Sequence, residues 1–371
     1  MNEKHLHIIS LDVPWPANYG GVIDIYYKAK QLAEAGINIH LHCFEYGRGE
    51  ANNLDFCYQV HYYKRDTSIL KQFSRIPYIV NSRKSESLVQ NLQKDDYPIL
   101  CEGLHTTAIL LDKRFSNRKI YVRTHNVEHD YYRSLATAEP IFWRKLFFQI
   151  EAEKLEHYES ILKQAAEIFA ISQKDTQYFS SQFQNVQWIP AFNDFVNVSS
   201  LPGKGSYVLY HGNLSVRENT EAALWLLRNV FSKVDVPCVI AGLNPPEQLI
   251  GESSLHSNVS IRANLPEVEM LDLIQNAHVN VFVTNQPTGL KLKLLNALSK
   301  GRYCIANTNM LAGTALGDAC TVADSAEQMR NEINRLMPIE FSQTEIIHRQ
   351  KVLQTKYDHV ANAHKLIKTI Y

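Results

Sequence analysis

Short apolar runs alternate with helical stretches along this chain, and they do so twice. LHIISL (6–11), INIHLHCF (37–44), YQVHYY (58–63), PILCEG (98–103), KIYVRT (119–124) and EIFAIS (167–172) make one series. SYVLYHG (206–212), PCVIAG (237–242), VSIRAN (259–264), VNVFVT (279–284), RYCIAN (302–307) and ACTVAD (319–324) make a second. Strand runs with helical patterns between them are the mark of a mostly parallel sheet with crossover helices, here expected over 218–231, 267–276, 289–300 and 325–336. The Ser-, Pro- and Gly-rich stretch SSLPGKGS (199–206) separates the series and reads as a linker. The expected fold is therefore α/β: a Rossmann-like domain over 1–198, another over 206–345, and a cleft between them. A final amphipathic helix, within 346–371, is placed back on the first domain. A length of 371 residues agrees with two domains of roughly 150 residues or more each.

The bulk properties remove several classes of function. Thirty-eight basic residues balance thirty-eight acidic ones, so no global positive field exists to hold nucleic acid. Six cysteines are scattered without a CxxC pair and read as reduced, mostly buried thiols of a cytoplasmic protein. The opening MNEKHLHIISLDV has too short an apolar run for a signal peptide, and no run reaches the ~18 residues of a membrane span. One local bias stands out. Between Lys64 and Lys84 there are six basic residues against Asp66, interleaved with Phe73, Ile76, Tyr78 and Ile79. That segment reads either as a solvated loop or as a peripheral contact with an anionic membrane surface.

The residues that carry chemistry lie where strands end. In LDVPWPANYGGVID, Gly20 and Gly21 fall in the first strand-to-helix connection, where paired glycines let backbone approach a ligand. RTHNVEHDYY places His125 at the carboxyl end of a strand, ready to bond a sugar hydroxyl. The same letters fit the HxxEH zinc signature, with His125 and His129 as ligands and Glu128 as base, provided the motif is helical and a third ligand exists. In YHGNLSVRENTEAALWLL, Gly212 allows a turn, Asn213 and Arg217 face the strand edge, and Asn219 is placed as the helix cap. TGLKLKLLNALSKGRYCIANT (288–308) opens a helix with Thr288, Gly289 and Leu290, then Lys291 and Lys293. Free N–H groups, the helix dipole and these lysines would seat a diphosphate, although taken alone the segment also reads as an ordinary amphipathic helix.

In order and spacing these segments resemble the retaining GT-B glycosyltransferases of family four. The resemblance covers nearly the whole chain through PANYGG, THNVEH, EIFAISQKD, WIPAFND, YHGNLSVRENTEAALWLL and GLKLKLLNALSKGRYCIANT. It implies that a sugar moves from a nucleoside diphosphate to a hydroxyl of a glycan or lipid-linked acceptor, with retention, in bacterial glycan or polysaccharide synthesis. No bound cofactor or metal is implied. His125 would hold the sugar, Arg217 and Lys291 the diphosphate, and Lys293 would assist. Gly20, Gly21, Gly212, Asn213, Gly289 and Leu290 would line the donor. The family's two glutamates fall on Thr288 and Asn296, neither acidic, which leaves open a silent nucleotide-sugar binder; an epimerase and the zinc hydrolase are further readings.

Overall fold

The computed structural model describes residues 3–193, 197–285 and 291–371. It forms two compact units, the first built from the chain up to Asn193 together with His359–Tyr371, the second from the chain between them.

The first unit holds seven strands: β1 (Lys4–Ser10), β2 (Ile37–Glu45), β3 (Gln59–Lys64), β4 (Ile99–Glu102), β5 (Ile120–Thr124), β6 (Glu167–Ala170) and β7 (Val186–Trp188). They pair in the order 3-2-1-4-5-6-7, and every pairing is parallel. The second unit holds β8 (Val208–His211), β9 (Cys238–Gly242), β10 (Val259–Ala263), β11 (Val279–Phe282), β12 (Tyr303–Ala306) and β13 (Thr321–Val322), parallel in the order 10-9-8-11-12-13. The two-part α/β reading is borne out. Only β7, a half-buried edge strand of three residues, lies outside the expected runs.

Both sheets are covered on both faces, which is why their strands read as unbroken apolar runs. In β1 Leu6 and Ile8 enter one core while Ile9 enters the other, and in β8 Val208 and Tyr210 part from Leu209 in the same way. Each such Leu or Ile contributes about 1.5–3 kcal/mol by leaving water.

One stretch of the first sheet breaks this pattern. His5 and His7 on β1, His40 and His42 on β2 and His61 on β3 occupy alternate positions, with His7 opposite His40 and His42 opposite His61. His5 Nδ1 lies 2.9 Å from His40 Nε2 and His7 Nδ1 2.8 Å from His42 Nε2. The ladder ends on Asp95, 2.9 Å from His7 Nε2, and on the Tyr63 hydroxyl, 2.8 Å from His42 Nδ1. Each imidazole pair needs one donor and one acceptor nitrogen, so both members of a pair cannot be charged at once. Burial accordingly pushes His7 down to about 4, against the opposing pull of Asp95, and holds His42 well below the ordinary value.

The expected helix over 346–370 is two helices. Gln343–Tyr357 serves the second unit, where Tyr357 donates to the Thr314 carbonyl at 2.8 Å and Arg349 to that of Gly301 at 2.6 Å. Asp358 is extended, and His359–Ile370 then joins the first unit by adding Ala363, Leu366 and Ile370 to its core. The 199–206 stretch is tied to the second unit rather than free. Gly203 pairs with Phe341 through backbone bonds of 2.8 and 3.0 Å, and Ser200 Oγ donates to the Gly301 carbonyl at 2.6 Å.

The histidine ladder sets a pH limit. Burial depresses the folded-state pKa values of His7 and His42, so their contribution is present above the unfolded value near 6.5 and is lost as pH falls towards 4. Urea unfolding of the first unit at about pH 5 should show a stability lower than at about pH 7 by on the order of 2 kcal/mol. Equal stabilities would mean that the ladder accepts protons without cost.

Candidate functional site

Strand order reverses once in each sheet, between β1 and β4 and between β8 and β11. Connections leaving the two strands at such a point run to opposite faces, and the crevice between their carboxyl ends is where ligands of open α/β sheets bind. The sequence-expected residues gather at these two points.

In the first unit the Gly20–Glu34 helix begins at Gly20 itself, so the two glycines open the helix rather than lying in the connection. Its N-cap, Tyr19, makes no side-chain cap, which leaves the first N–H groups to other acceptors. A Cβ on Gly21 would stand 3.6 Å from His125 Nδ1, so glycine here keeps the space above the imidazole open. His125 follows β5, and its Nε2 lies 3.0 Å from Glu102 Oε2 at the end of β4. The carboxylate fixes the Nε2–H tautomer and leaves Nδ1, buried and without a hydrogen-bond partner, as an acceptor on the Gly21 side.

A buried ion network holds Glu102. Lys28 Nζ reaches Glu102 Oε1 at 2.7 Å and Asp24 Oδ2 at 3.0 Å, and Asp24 accepts Arg123 Nη2 at 2.9 Å and Nε at 3.0 Å. All four side chains are fully buried and their formal charges cancel. Burial alone would raise the Asp24 pKa, but Arg123 and then Lys28 hold it well below the usual carboxylate range. Asp24, Glu102 and His125 lie close enough to suggest a metal site, with candidate ligand atoms within 4.8 Å of one another. The Lys28 ammonium already bridges its two carboxylates.

The zinc-hydrolase reading is corrected by the same region. The helix starts at Glu128 with Val127 as its N-cap, so His125 stands outside it and the HxxEH residues cannot share a helical face. His125 turns to Glu102, whereas His129 Nδ1 faces Glu159 Oε2 at 3.4 Å, too poorly aligned for a hydrogen bond. Nor is Glu128 a poised base. Burial raises its pKa to about 8, with Arg83 pulling the other way and Asp175 and Glu159 adding to the rise, so it is mostly protonated at neutral pH.

In the second unit the connection after β8 starts at Gly212. A Cβ on Gly242, at the end of the neighbouring β9, would come within 1.8 Å of the Gly212 carbonyl oxygen, so only glycine lets these ends meet. The Asn213 Oδ1 accepts Ser215 N–H at 3.1 Å and its hydroxyl at 2.6 Å, folding the turn onto itself. Asn219 is not the cap expected for the helix. The helix is Arg217–Asn229 with Val216 as N-cap, and Asn219, in its first turn, donates to the Asn213 carbonyl at 2.9 Å and accepts Lys293 Nζ at 2.9 Å. Lys293 also lies 5.5 Å from the centroid of the Tyr210 ring, and burial lowers its pKa despite the opposing charge of Glu218.

The lysines therefore differ from the sequence reading. Lys293, half-buried, ties the Leu292–Lys300 helix to the turn after β8, and Lys291, the N-cap of that helix, is buried. Arg217 is largely exposed and pairs with Glu221 at 2.6 Å, one helical turn on. Among the described residues neither the Arg217–Asn229 nor the Leu292–Lys300 helix has a side-chain N-cap, and their two N-termini flank the reversal between β8 and β11. Asn296 Oδ1 is buried without a hydrogen-bond partner. Thr288, Gly289 and Leu290 lie outside the described residues.

Two members of this rim escaped the sequence reading. His211 ends β8 with its Nε2 unpartnered, and burial, aided by Lys293, pushes its pKa down to about 3. Thr284 donates to Glu218 across the reversal. Both sat inside segments already singled out, YHG and VNVFVT, and an imidazole directly before a turn glycine was the available signal.

Residues 205–338 match the family described as Glycosyl transferases group 1. Over its whole length the chain is similar to solved glycosyltransferases of the GT-B fold. It has that fold, and the match over its second unit makes it by class a glycosyltransferase. Sucrose-phosphate synthase from Thermosynechococcus elongatus superposes with a TM-score of 0.72 at 16% identity, covering 98% of each chain. HepE of Anabaena, solved in complex with UDP and glucose, superposes with a TM-score of 0.66 at 12% identity over 99% of each. A 44.6 kDa protein in the cps region of Klebsiella pneumoniae is 25% identical over 342 residues, 87% of this chain and 86% of that relative.

Two substitutions probe the geometry. Lys293→Met should free the turn after β8, seen as hydrogen exchange at 213–219 faster by about 10-fold or more; unchanged protection would show that the Asn213 turn holds itself. Glu128→Gln reproduces the protonated carboxyl. The raised pKa means that the wild-type contribution is lost as pH climbs from 4.5 through about 8, so the variant should be the more stable at about pH 9, by roughly 1 kcal/mol or more.

Proposed function

We propose that this chain is a retaining glycosyltransferase that moves a sugar from a nucleoside diphosphate to a hydroxyl of a growing glycan or polysaccharide. The observation that carries the reading is the strand-order reversal of the second sheet, inside the segment matched to the group 1 family, flanked by two helix N-termini that Lys293 ties together. Helix N-termini and their dipoles suit a diphosphate, and their stabilisation grows as negative charge develops on the leaving group. The UDP and glucose bound to HepE, and the cps region that holds the Klebsiella pneumoniae relative, support a nucleotide-sugar donor and a polysaccharide product.

Within this reading Lys291 and Arg217 neutralise the diphosphate. Lys293 acts as a positioning residue, and Gly212 and Asn213 line the donor side together with Thr288, Gly289 and Leu290. Asn296 offers its unpartnered amide oxygen to a ribose hydroxyl, the job of a carboxylate in the family it resembles. His125, oriented by Glu102 beside Gly20 and Gly21, accepts a hydrogen bond from a sugar hydroxyl through Nδ1. The departing phosphate takes the acceptor proton, so no protein nucleophile is required.

Thermal-shift screening against a panel of nucleotide sugars should reveal one donor that raises the melting temperature, followed by transfer in a pooled acceptor screen. Lys291→Ala should then slow transfer by a factor on the order of 10²; wild-type turnover would remove Lys291 from the diphosphate. Donor binding without transfer or hydrolysis would favour a silent nucleotide-sugar binder, the reading that Thr288 and Asn296 motivate.

A further inference from the structure

The first unit carries an apolar surface that its own core does not explain. Ile69, Leu70 and Phe73 lie on a short 3-10 turn, Ile69–Phe73, none of whose residues is buried. Phe142, Trp143, Leu146 and Ile150 lie on the Phe142–Tyr158 helix. Leu70 is 77% exposed, Phe73 82%, Phe142 66% and Trp143 75%. Two phenylalanines and a tryptophan each two-thirds or more exposed are unusual on a protein surface and mark a contact site. On the helix these positions, spaced by three and four, fall on one stripe, whereas the buried Glu151, Ala152 and Leu155 turn the opposite way.

The two apolar segments are neighbours. Lys154, on the helix, donates to the Gln72 carbonyl in the turn at 2.7 Å, and Glu151 accepts the Tyr78 N–H at 2.6 Å. Tyr78 and Phe147 meet edge to face at 6.3 Å. The turn and the helix therefore pack together from chain positions some seventy residues apart, which the basic 64–84 segment alone did not reveal.

Its charge selects the occupant. Lys64, Arg75 and Lys84 flank the turn in sequence and Arg144 and Lys145 lie on the helix, all exposed; against them Asp66 is paired with Lys71 at 3.3 Å and Glu156 with Arg133 at 2.6 Å, leaving Glu139 and Glu153 as acidic neighbours in sequence. Arg83 drops out of the count, being buried and donating to the Leu11 and Ile79 carbonyls. The chain as a whole carries equal numbers of basic and acidic residues, so this is a local segregation of positive charge beside aromatic and aliphatic side chains. Positive charge beside aromatic and aliphatic side chains complements a surface that is anionic at its face and apolar a few ångströms deeper.

We propose that this patch docks the first unit on an anionic lipid bilayer, with Leu70, Phe73, Phe142 and Trp143 entering the interface and the lysines and arginines resting on the headgroups. Among the described residues no helix is long and apolar enough to cross a membrane, so the attachment is peripheral and reversible.

The test is co-sedimentation of the full chain with vesicles of phosphatidylcholine alone or with about a third phosphatidylglycerol, at low and high salt. The wild type should bind the anionic vesicles, and binding should weaken as salt screens the charge. Phe73→Glu, Trp143→Glu and the pair Arg144→Glu with Lys145→Glu change exposed side chains, so melting temperatures should hold while partitioning falls by about 10-fold or more. The proposal fails if the wild type ignores anionic vesicles at low salt. It fails equally if the variants bind as the wild type does, or if sedimentation shows that the substitutions dissociate a dimer while leaving vesicle binding unchanged. Binding is the readout, so the outcome does not depend on which sugar is transferred.

Discussion

Four charges with no access to water organise the first unit. Bringing Asp24, Lys28, Glu102 and Arg123 out of solvent is costly, and each is tolerated only because the others surround it. The arrangement joins the first helix to β4 and β5 through side chains alone, and Arg123 extends it to the Pro190 carbonyl after β7, 3.0 Å away. Removing one member would strand its partners as uncompensated charges, which is worse than never having buried the set. The imidazole of His125 stands at the end of this network, so its orientation follows from a balance struck among groups withdrawn from water.

The two units solve one problem with different materials. Each has a parallel sheet whose strand order reverses once, and each brings a glycine close to polar groups at that reversal. In the first, position is fixed by buried ions and an imidazole. In the second it is fixed by backbone approach at Gly212 and Gly242 and by a partly dehydrated lysine. A site made of backbone N–H groups suits a ligand whose charge is spread over several oxygens, whereas a single oriented imidazole nitrogen suits one hydroxyl.

Much of this was legible in the residues. The strands were, because parallel strands covered on both faces leave apolar runs that little else produces. So was the resemblance to GT-B enzymes, through the order of the turn motifs. What escaped shares one physical cause: a polar side chain inside an apolar setting carries no local sign of its partner. Asp24 and Lys28, four apart on a helix, look like a solvated pair. Glu102 and Arg123 end apolar runs, and their mutual approach needs the fold. The histidines of KHLHI and NIHLHCF alternate visibly, yet alternation by itself suggests a wet face rather than a buried ladder. Glu128 and His129 matched a metal motif because a short pattern does not know where a helix begins.

The helix His359–Ile370 has a consequence for how the molecule comes into being. The chain leaves the first unit after Asn193, yet that residue's N–H is received by the imidazole of His359, 166 positions further on. Ala363, Leu366 and Ile370 then fill a core whose other members were synthesised first. A ribosome delivers the earlier unit long before the piece that seals it, so this half emerges with an apolar groove along its first helix that must wait while the whole second sheet is made. The part of the protein that starts folding first is the part that finishes last, and damage near the carboxyl end would be felt in the amino-terminal half.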